Sequence, residues 1–105
     1  MAQADTTTDD PTSELSGFKR DLLFVIADVG PAKGLKIKDE MEAYYASEVN
    51  HGRLYPNLDA LVESGLVSKG QRDRRTNEYE LTVRARQVLE TRREWEAERF
   101  DGGDA

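Results

Sequence analysis

The chain has 105 residues, no cysteine and one histidine, and its 21 acids against 15 bases give a formal net charge of -6. That length suits one small domain with a modest core, which a partner subunit would help to stabilise. The composition excludes disulfides, a thiolate metal site and a thiol redox switch, and a lone imidazole makes a histidine-built metal centre improbable, so no metal and no cofactor is expected.

Residues 1–14 contain Asp5, Asp9, Asp10 and Glu14, no base and little apolar content; a disordered acidic tail is expected. Ser13 or Ser16 can cap a first helix over 15–29, in which Leu15, Phe18, Leu22, Ile26 and Val29 recur at helical spacing before Gly30-Pro31 stops it. Residues 31–34 read as a turn. A second helix follows, with Leu35, Ile37, Met41 and Tyr44 or Tyr45 facing inward. Asn50 is placed to cap a third helix with an inner stripe of Leu54, Leu58, Leu61 and Val62. Pro56 must fall in an early, irregular turn of that helix or bend it, and Ser64-Gly65 ends it.

Leu66 and Val67 open a strand, residues 73–77 form a tip, and Tyr79 and Leu81 alternate with Glu78 and Glu80 in the return strand. Thr82 can cap a last helix over 83–100, whose stripe is Ala85, Val88, Leu89, Trp95 and Phe100. Residues 101–105, with Asp101 and Asp104, read as a second disordered tail. With the two tails set aside, residues 15–100 hold 15 acids and 15 bases. The folded part is therefore neutral, and Lys69, Arg72, Arg74 and Arg75 form a local basic stripe opposed only by Asp73.

Helix, strand, basic turn and strand in that order are the parts of a winged helix, whose third helix enters the DNA major groove. The expected fold is α+β, mostly helical: a winged helix-turn-helix with a two-stranded wing over 15–82, followed by a terminal helix. On the third helix, Asn50, His51, Arg53, Tyr55 and Asn57 face outward. Arg can bond guanine bidentately, Asn can read adenine, and a tyrosine hydroxyl can meet phosphate. At the wing, Arg72, Arg74 and Arg75 can reach phosphates or a narrow minor groove, with Lys69 at its base. Lys33, Lys36 and Lys38 surround the start of the second helix. Each group also has a plainer reading as solvated surface, and His51 could contact DNA, sense pH or merely occupy a first helical turn.

Leu54-Tyr55-Pro56, Leu58, Leu61, Glu63, Gly65-Leu66-Val67, Tyr79 and Leu81-Thr82 resemble the PadR-like family of winged-helix transcriptional regulators, over roughly residues 17–100. Gly34-Leu35 resembles the glycine and apolar pair that opens the family's second helix. The resemblance implies a sequence-specific regulator, by default a repressor, bound to double-stranded DNA at an inverted repeat. It also implies a homodimer formed through the terminal helices with the first helix alongside. Leu15, Phe18, Leu22, Val88, Leu89, Arg92, Trp95 and Phe100 are then expected at the dimer interface, unless Trp95 folds back on its own domain. Relatives usually carry glycine where Ala85 stands, the wing looks slightly short, and a chain ending at Ala105 resembles the branch with a single dimerisation helix. Some relatives bind planar aromatic effectors near the position of Trp95; nothing in this sequence demands one.

A winged helix used only for protein contacts or chromatin architecture is the competing reading, favoured by the acidic charge and opposed by the Arg-rich wing. An enzyme is not expected: there is no nucleophile–base pair, phosphate-binding glycine loop or metal-ligand cluster. No apolar run approaches a membrane span and the acidic N-terminus is not a signal peptide, so a cytoplasmic protein without membrane contact is expected. The many acids, and ten arginines among the 15 bases, fit a high-salt cytoplasm.

Overall fold

Ser16 sets the start of the first helix: its hydroxyl accepts the Lys19 amide at 3.2 Å, satisfying one of the free N–H groups of the first turn. The computed structural model describes residues 11–102. Helix α1 (Gly17–Val29) buries Phe18, Leu22, Leu23 and Ile26. It ends where the Gly30 amide donates to the Ile26 carbonyl at 2.8 Å. A Cβ on Gly30 would lie 2.7 Å from that oxygen, so only glycine fits this exit.

Strand β1 (Ala32–Lys33) leads directly into α2 (Gly34–Tyr45). Ile37 and Met41 are its buried residues. Leu35, expected to face inward, is exposed; of the two tyrosines offered for the inner position, Tyr45 packs against the core and Tyr44 is exposed. The C-cap of α2, Ala46, adopts a left-handed conformation at φ 57°, unusual for a residue with a Cβ. Helix α3 (His51–Glu63) starts at Asn50, whose Oδ1 accepts the Arg53 amide at 2.9 Å. Leu54, Leu58 and Leu61 form its inner stripe, and the helix continues through Pro56 without a break. Gly65 turns the chain out of α3 at φ +80°, a region glycine enters freely.

Strands β2 (Val67–Asp73) and β3 (Thr76–Leu81) pair antiparallel from Val67–Leu81 to Gln71–Asn77, then shift register to Asp73–Thr76 at the tip. Strand β1 joins the other edge, pairing Ala32 with Tyr79 and Lys33 with Glu78, to give the order β1-β3-β2. The expected two-stranded wing is therefore part of a three-stranded sheet, and the expected turn at 31–34 is a strand. Two residues carry no readable alternation, which hid β1. Nor is the wing short: seven- and six-residue strands span about 20 Å at roughly 3.3 Å per residue.

The core lies where α1, α2 and α3 meet, around Leu22, Leu23, Ile26, Ile37, Met41, Leu54 and Leu58, all fully buried. Deleting any one of these large side chains would cost about 2–5 kcal/mol. Leu66, Tyr79 and Leu81 close it from the sheet, and Ala85, Val88 and Leu89 from the last helix, α4 (Val83–Gly102). Thr82 caps α4 through the Ala85 amide at 3.1 Å. Ala85 is itself fully buried, so the methyl group that stands in place of the family glycine is a core contact.

Two boundaries differ from expectation. Residues 11–14 are not a disordered tail but a 3-10 turn, with Thr12 buried and the Thr12 and Leu15 carbonyls both accepting from the Arg20 guanidinium at 3.0 and 2.8 Å. Arg20, five residues beyond the expected boundary, supplies that anchor. Helix α4 runs on through Asp101 and Gly102, two residues into the second expected tail. The rest of both tails, 1–10 and 103–105, lies outside the described residues.

Candidate nucleic-acid interface

The outer face of α3, the start of α2 and the wing enclose one cleft of about 280 Å³, lined by Lys33, Gly34, Leu35, Tyr55, Arg75, Thr76, Asn77 and Tyr79. Three residues expected from sequence, Lys33, Tyr55 and Arg75, converge there from β1, α3 and the wing. Tyr55 lies hard against Gly34: a Cβ at that position would sit 2.7 Å from Tyr55 Cε1 and closer still to its hydroxyl. Glycine at the start of α2 is thus what lets the tyrosine lie flat in the cleft. His51 stacks on Tyr55, with ring centroids 5.5 Å apart, and the two rings form one aromatic ledge on the first turns of α3.

The remaining α3 residues are partly engaged. Asn50 Oδ1 is committed to the cap, leaving its NH2 group for other work. Asn57 Nδ2 donates to the Arg53 carbonyl at 2.7 Å, which leaves its oxygen as acceptor. The Arg53 guanidinium lies over the Phe18 ring, 4.0 Å from its centroid, so it is positioned by α1 while its side chain stays on the exposed surface.

The cations of α2 and the wing differ in their partners. Lys36 pairs with Glu40 at 3.2 Å and Lys38 with Glu42 at 2.9 Å. Glu42 also accepts the Val49 amide at 2.8 Å, and this backbone bond, then the Lys38 ammonium, holds its carboxyl below the usual carboxylate range. Lys38 therefore serves the α2–α3 connection as a structural group. At the wing, Lys69 reaches Asp59 of α3 at 3.7 Å and Arg72 reaches Glu78 across the hairpin at 3.1 Å. Asp73 Oδ1 accepts the Arg75 amide at 2.9 Å; that bond shapes the tip and keeps the Asp73 carboxyl ionised below its ordinary range. The Arg74 and Arg75 guanidiniums have no partner among the described residues and are exposed.

The eight residues expected at a dimer interface divide. Phe18, Leu22, Val88 and Leu89 are buried within the protomer's own core and leave little side-chain surface for a partner; the helical stripe that identified them marks the face each helix turns inward. Leu15 packs against the same core. Arg92, Trp95 and Phe100 lie on the outer part of α4. Trp95 is 44% and Phe100 87% exposed, and the Arg92 and Arg99 guanidiniums flank the indole at 4.8 and 4.5 Å from its centroid.

Sequence reasoning missed Gly34 as a steric requirement, Glu42 as a connector and the Asp59, Glu78 and Glu40 carboxylates beside the expected DNA-facing cations. It also missed the bond from the Tyr45 hydroxyl to Asp21 Oδ2 at 2.6 Å, which ties α2 to α1; burial, then the adjacent carboxylate, pushes the Tyr45 hydroxyl up to about 12. The spacing of Lys36–Glu40 and Lys38–Glu42 on one helix was a readable signal; the cross-element pairs were not. Among the described residues no group of acids and histidine is arranged to hold a metal, and no helix is long and apolar enough to cross a membrane.

The family model of the transcriptional regulator PadR-like family matches residues 22–91. The hsRosR-S1 complex structure is 45% identical and covers 87% of this chain and 80% of that one, with a TM-score of 0.83. H. salinarum RosR grown from NaBr is 47% identical, covering 83% and 78%, at a TM-score of 0.79. A PadR-like transcription factor from B. fragilis, 20% identical and covering 84% and 89% at 0.66, shares the fold. No match is found among curated protein sequences.

Proposed function

This chain belongs to the PadR-like family of transcriptional regulators, and from that premise we propose that it is a homodimeric repressor that reads an inverted-repeat operator. It is a DNA-binding transcription regulator and not an enzyme. In the proposed complex, α3 enters the major groove with His51, Arg53, Tyr55 and Asn57 towards the bases and sugar-phosphate edge. The wing tip lays Arg74 and Arg75 on the backbone or in the minor groove, and Lys33 meets the phosphate nearest the start of α2. Two protomers joined through α4 would place two such heads about one helical turn apart. A dimer seated over a promoter excludes polymerase, which makes repression the default consequence. The setting is a cytoplasm, and the similarity to a protein of H. salinarum, a halophile, supports the high-salt reading of the composition.

The observation that carries this reading is the convergence of Lys33, Tyr55 and Arg75 from three elements on one open cleft beside α3. The test is fluorescence anisotropy of the purified protein with its own upstream DNA and with a scrambled duplex, in molar potassium salt and in dilute buffer. Tight binding of two protomers to the native fragment alone is expected. Equal, weak binding to both duplexes would replace the reading with an architectural role, and a folded dimer that binds neither would replace it with a protein-contact role.

A further inference from the structure

Seven Lys and Arg side chains lie on β1, α2 and the wing, and four of them are already paired with carboxylates of this chain: Lys36 with Glu40, Lys38 with Glu42, Lys69 with Asp59 and Arg72 with Glu78. Lys33, Arg74 and Arg75 have no partner among the described residues. We infer that Glu40, Asp59 and Glu78 set the salt response of DNA binding, by cancelling the charge of Lys36, Lys69 and Arg72, so that only Lys33, Arg74 and Arg75 act as net phosphate ligands. The inference rests on the DNA-binding reading above and concerns the regulation of that same surface by ionic strength.

The argument is one of ion balance. An unpaired cation that meets a phosphate releases one counterion from the DNA and takes none up. A cation paired with its own carboxylate has two courses. It can stay paired, and then it releases nothing. Or it can turn to the phosphate, and then the abandoned carboxylate recruits a cation from solution as the DNA releases one. Both courses leave the net release near zero. Apart from Lys38–Glu42 the pairs are largely exposed and so contribute little to folding; Asp59 is 60% and Glu40 39% accessible at the side chain. Their effect lies in what the duplex meets: seven positive groups, of which only three make no ion pair among the described residues.

Three unpaired cations on each of two protomers give a slope of log K against log salt of about -5, at roughly -0.9 per phosphate neutralised. All seven acting freely would give about -13. A tenfold rise in salt would then cost about 10⁵ in affinity instead of about 10¹³. Base contacts and buried surface can offset the first loss but not the second.

The experiment compares the wild-type protein with the triple variant Glu40→Gln/Asp59→Asn/Glu78→Gln, titrated by anisotropy against the upstream fragment from dilute buffer to molar potassium salt. Glu42 is left intact because it holds the Val49 amide. Circular dichroism melts establish that both proteins are folded. A wild-type slope near -5 that steepens to about -11 in the variant, with tighter binding in dilute buffer, is the expected result. Equal slopes in the two proteins would overturn the inference while leaving the DNA reading in place. Absence of binding by both folded proteins would remove the DNA reading and this inference with it.

Discussion

The wing and the outer half of α4 both project from the core, and they are held in opposite ways. The wing is tied on two sides: β3 pairs with β2 along its length and with β1 at its base, while Lys69 braces it to α3. The hairpin ladder and these two braces fix the wing on its own protomer, so the exposed guanidiniums at the tip are carried on an anchored structure. Beyond Leu89 no residue of α4 is buried, and its side-chain ties are local: Arg93–Glu90, Arg92–Glu96 and Arg99–Glu98. Such pairs contribute a few tenths of a kcal/mol each, and an unsupported helix of this length is marginal in water. With Trp95 and Phe100 exposed upon it, this segment is the one the proposed dimer would cover, whereas the wing is braced within its own protomer. In the proposed complex the braced projection serves recognition and the unbraced one assembly.

Substitutions that separate the two projections test this contrast, and the largest effect belongs to α4. Trp95→Ala with Phe100→Ala should cost the dimer at least about 2 kcal/mol, shifting sedimentation equilibrium towards monomer and removing any dependence of melting temperature on concentration. A variant that sediments as a dimer of undiminished affinity would refute the assignment of the arm. On the wing the pattern should invert. Arg74→Ala with Arg75→Ala should weaken binding to the upstream fragment on the order of 100-fold, from lost charge-assisted bonds to phosphate, and leave melting and sedimentation as in the wild type; a fall in melting temperature would show that the tip holds the fold.

Between these lies Gly34→Ala, where the new Cβ must displace Tyr55. We expect a loss of about 1–3 kcal/mol in chemical denaturation together with weaker DNA binding, since both the ledge and the cleft move; unchanged binding would separate Tyr55 from recognition. The smallest effect concerns the body that carries both projections. Tyr45→Phe removes the bond to Asp21 and should cost about 1 kcal/mol near neutral pH. The sign of the pH effect follows from the raised hydroxyl. Its folded value, about 12, exceeds the ordinary 10.0, so its contribution is complete below pH 10 and is lost as pH rises towards 12. Denaturation midpoints of the wild type should therefore fall across that window, and those of Tyr45→Phe should fall less, with the remainder due to Tyr79, which burial also raises.

The sequence carried the helices well, because their signals are local: the Ser16 and Asn50 caps, the Leu54–Leu58–Leu61 stripe and Gly65 each act within one or two turns. The outward positions proposed to meet DNA were readable for the same reason, since they lie at a helix start and a hairpin tip. What failed was long-range or shared. Strand β1 is two residues long and exists only because β3 offers it an edge. The 3-10 turn is anchored by Arg20, outside the segment whose composition suggested disorder. Phe18, Leu22, Val88 and Leu89 look alike whether the apolar face they mark is covered by their own chain or by another, and only the packing of α1 and α4 on the core decides it. The pairing of Lys69 with Asp59 and Arg72 with Glu78 was equally invisible, since opposite charges 10 and 6 positions apart in the sequence have no periodic signature.

Thr82 occupies a junction of three parts. Its amide donates to the Leu66 carbonyl at 3.1 Å, its hydroxyl donates to the Gly65 carbonyl at 2.9 Å, and the same oxygen accepts the Ala85 amide at 3.1 Å. The exit of the reading helix, the end of the wing and the base of the arm are thus pinned to one side chain. In a dimer joined by its arms, the angle fixed at that point sets how far apart the two reading helices stand. In the proposed dimer on an inverted repeat, the spacing of the half-sites would thus depend on a threonine hydroxyl at the foot of the arm, and Thr82→Val is expected to shift the preferred half-site separation in a binding assay against duplexes of graded spacing.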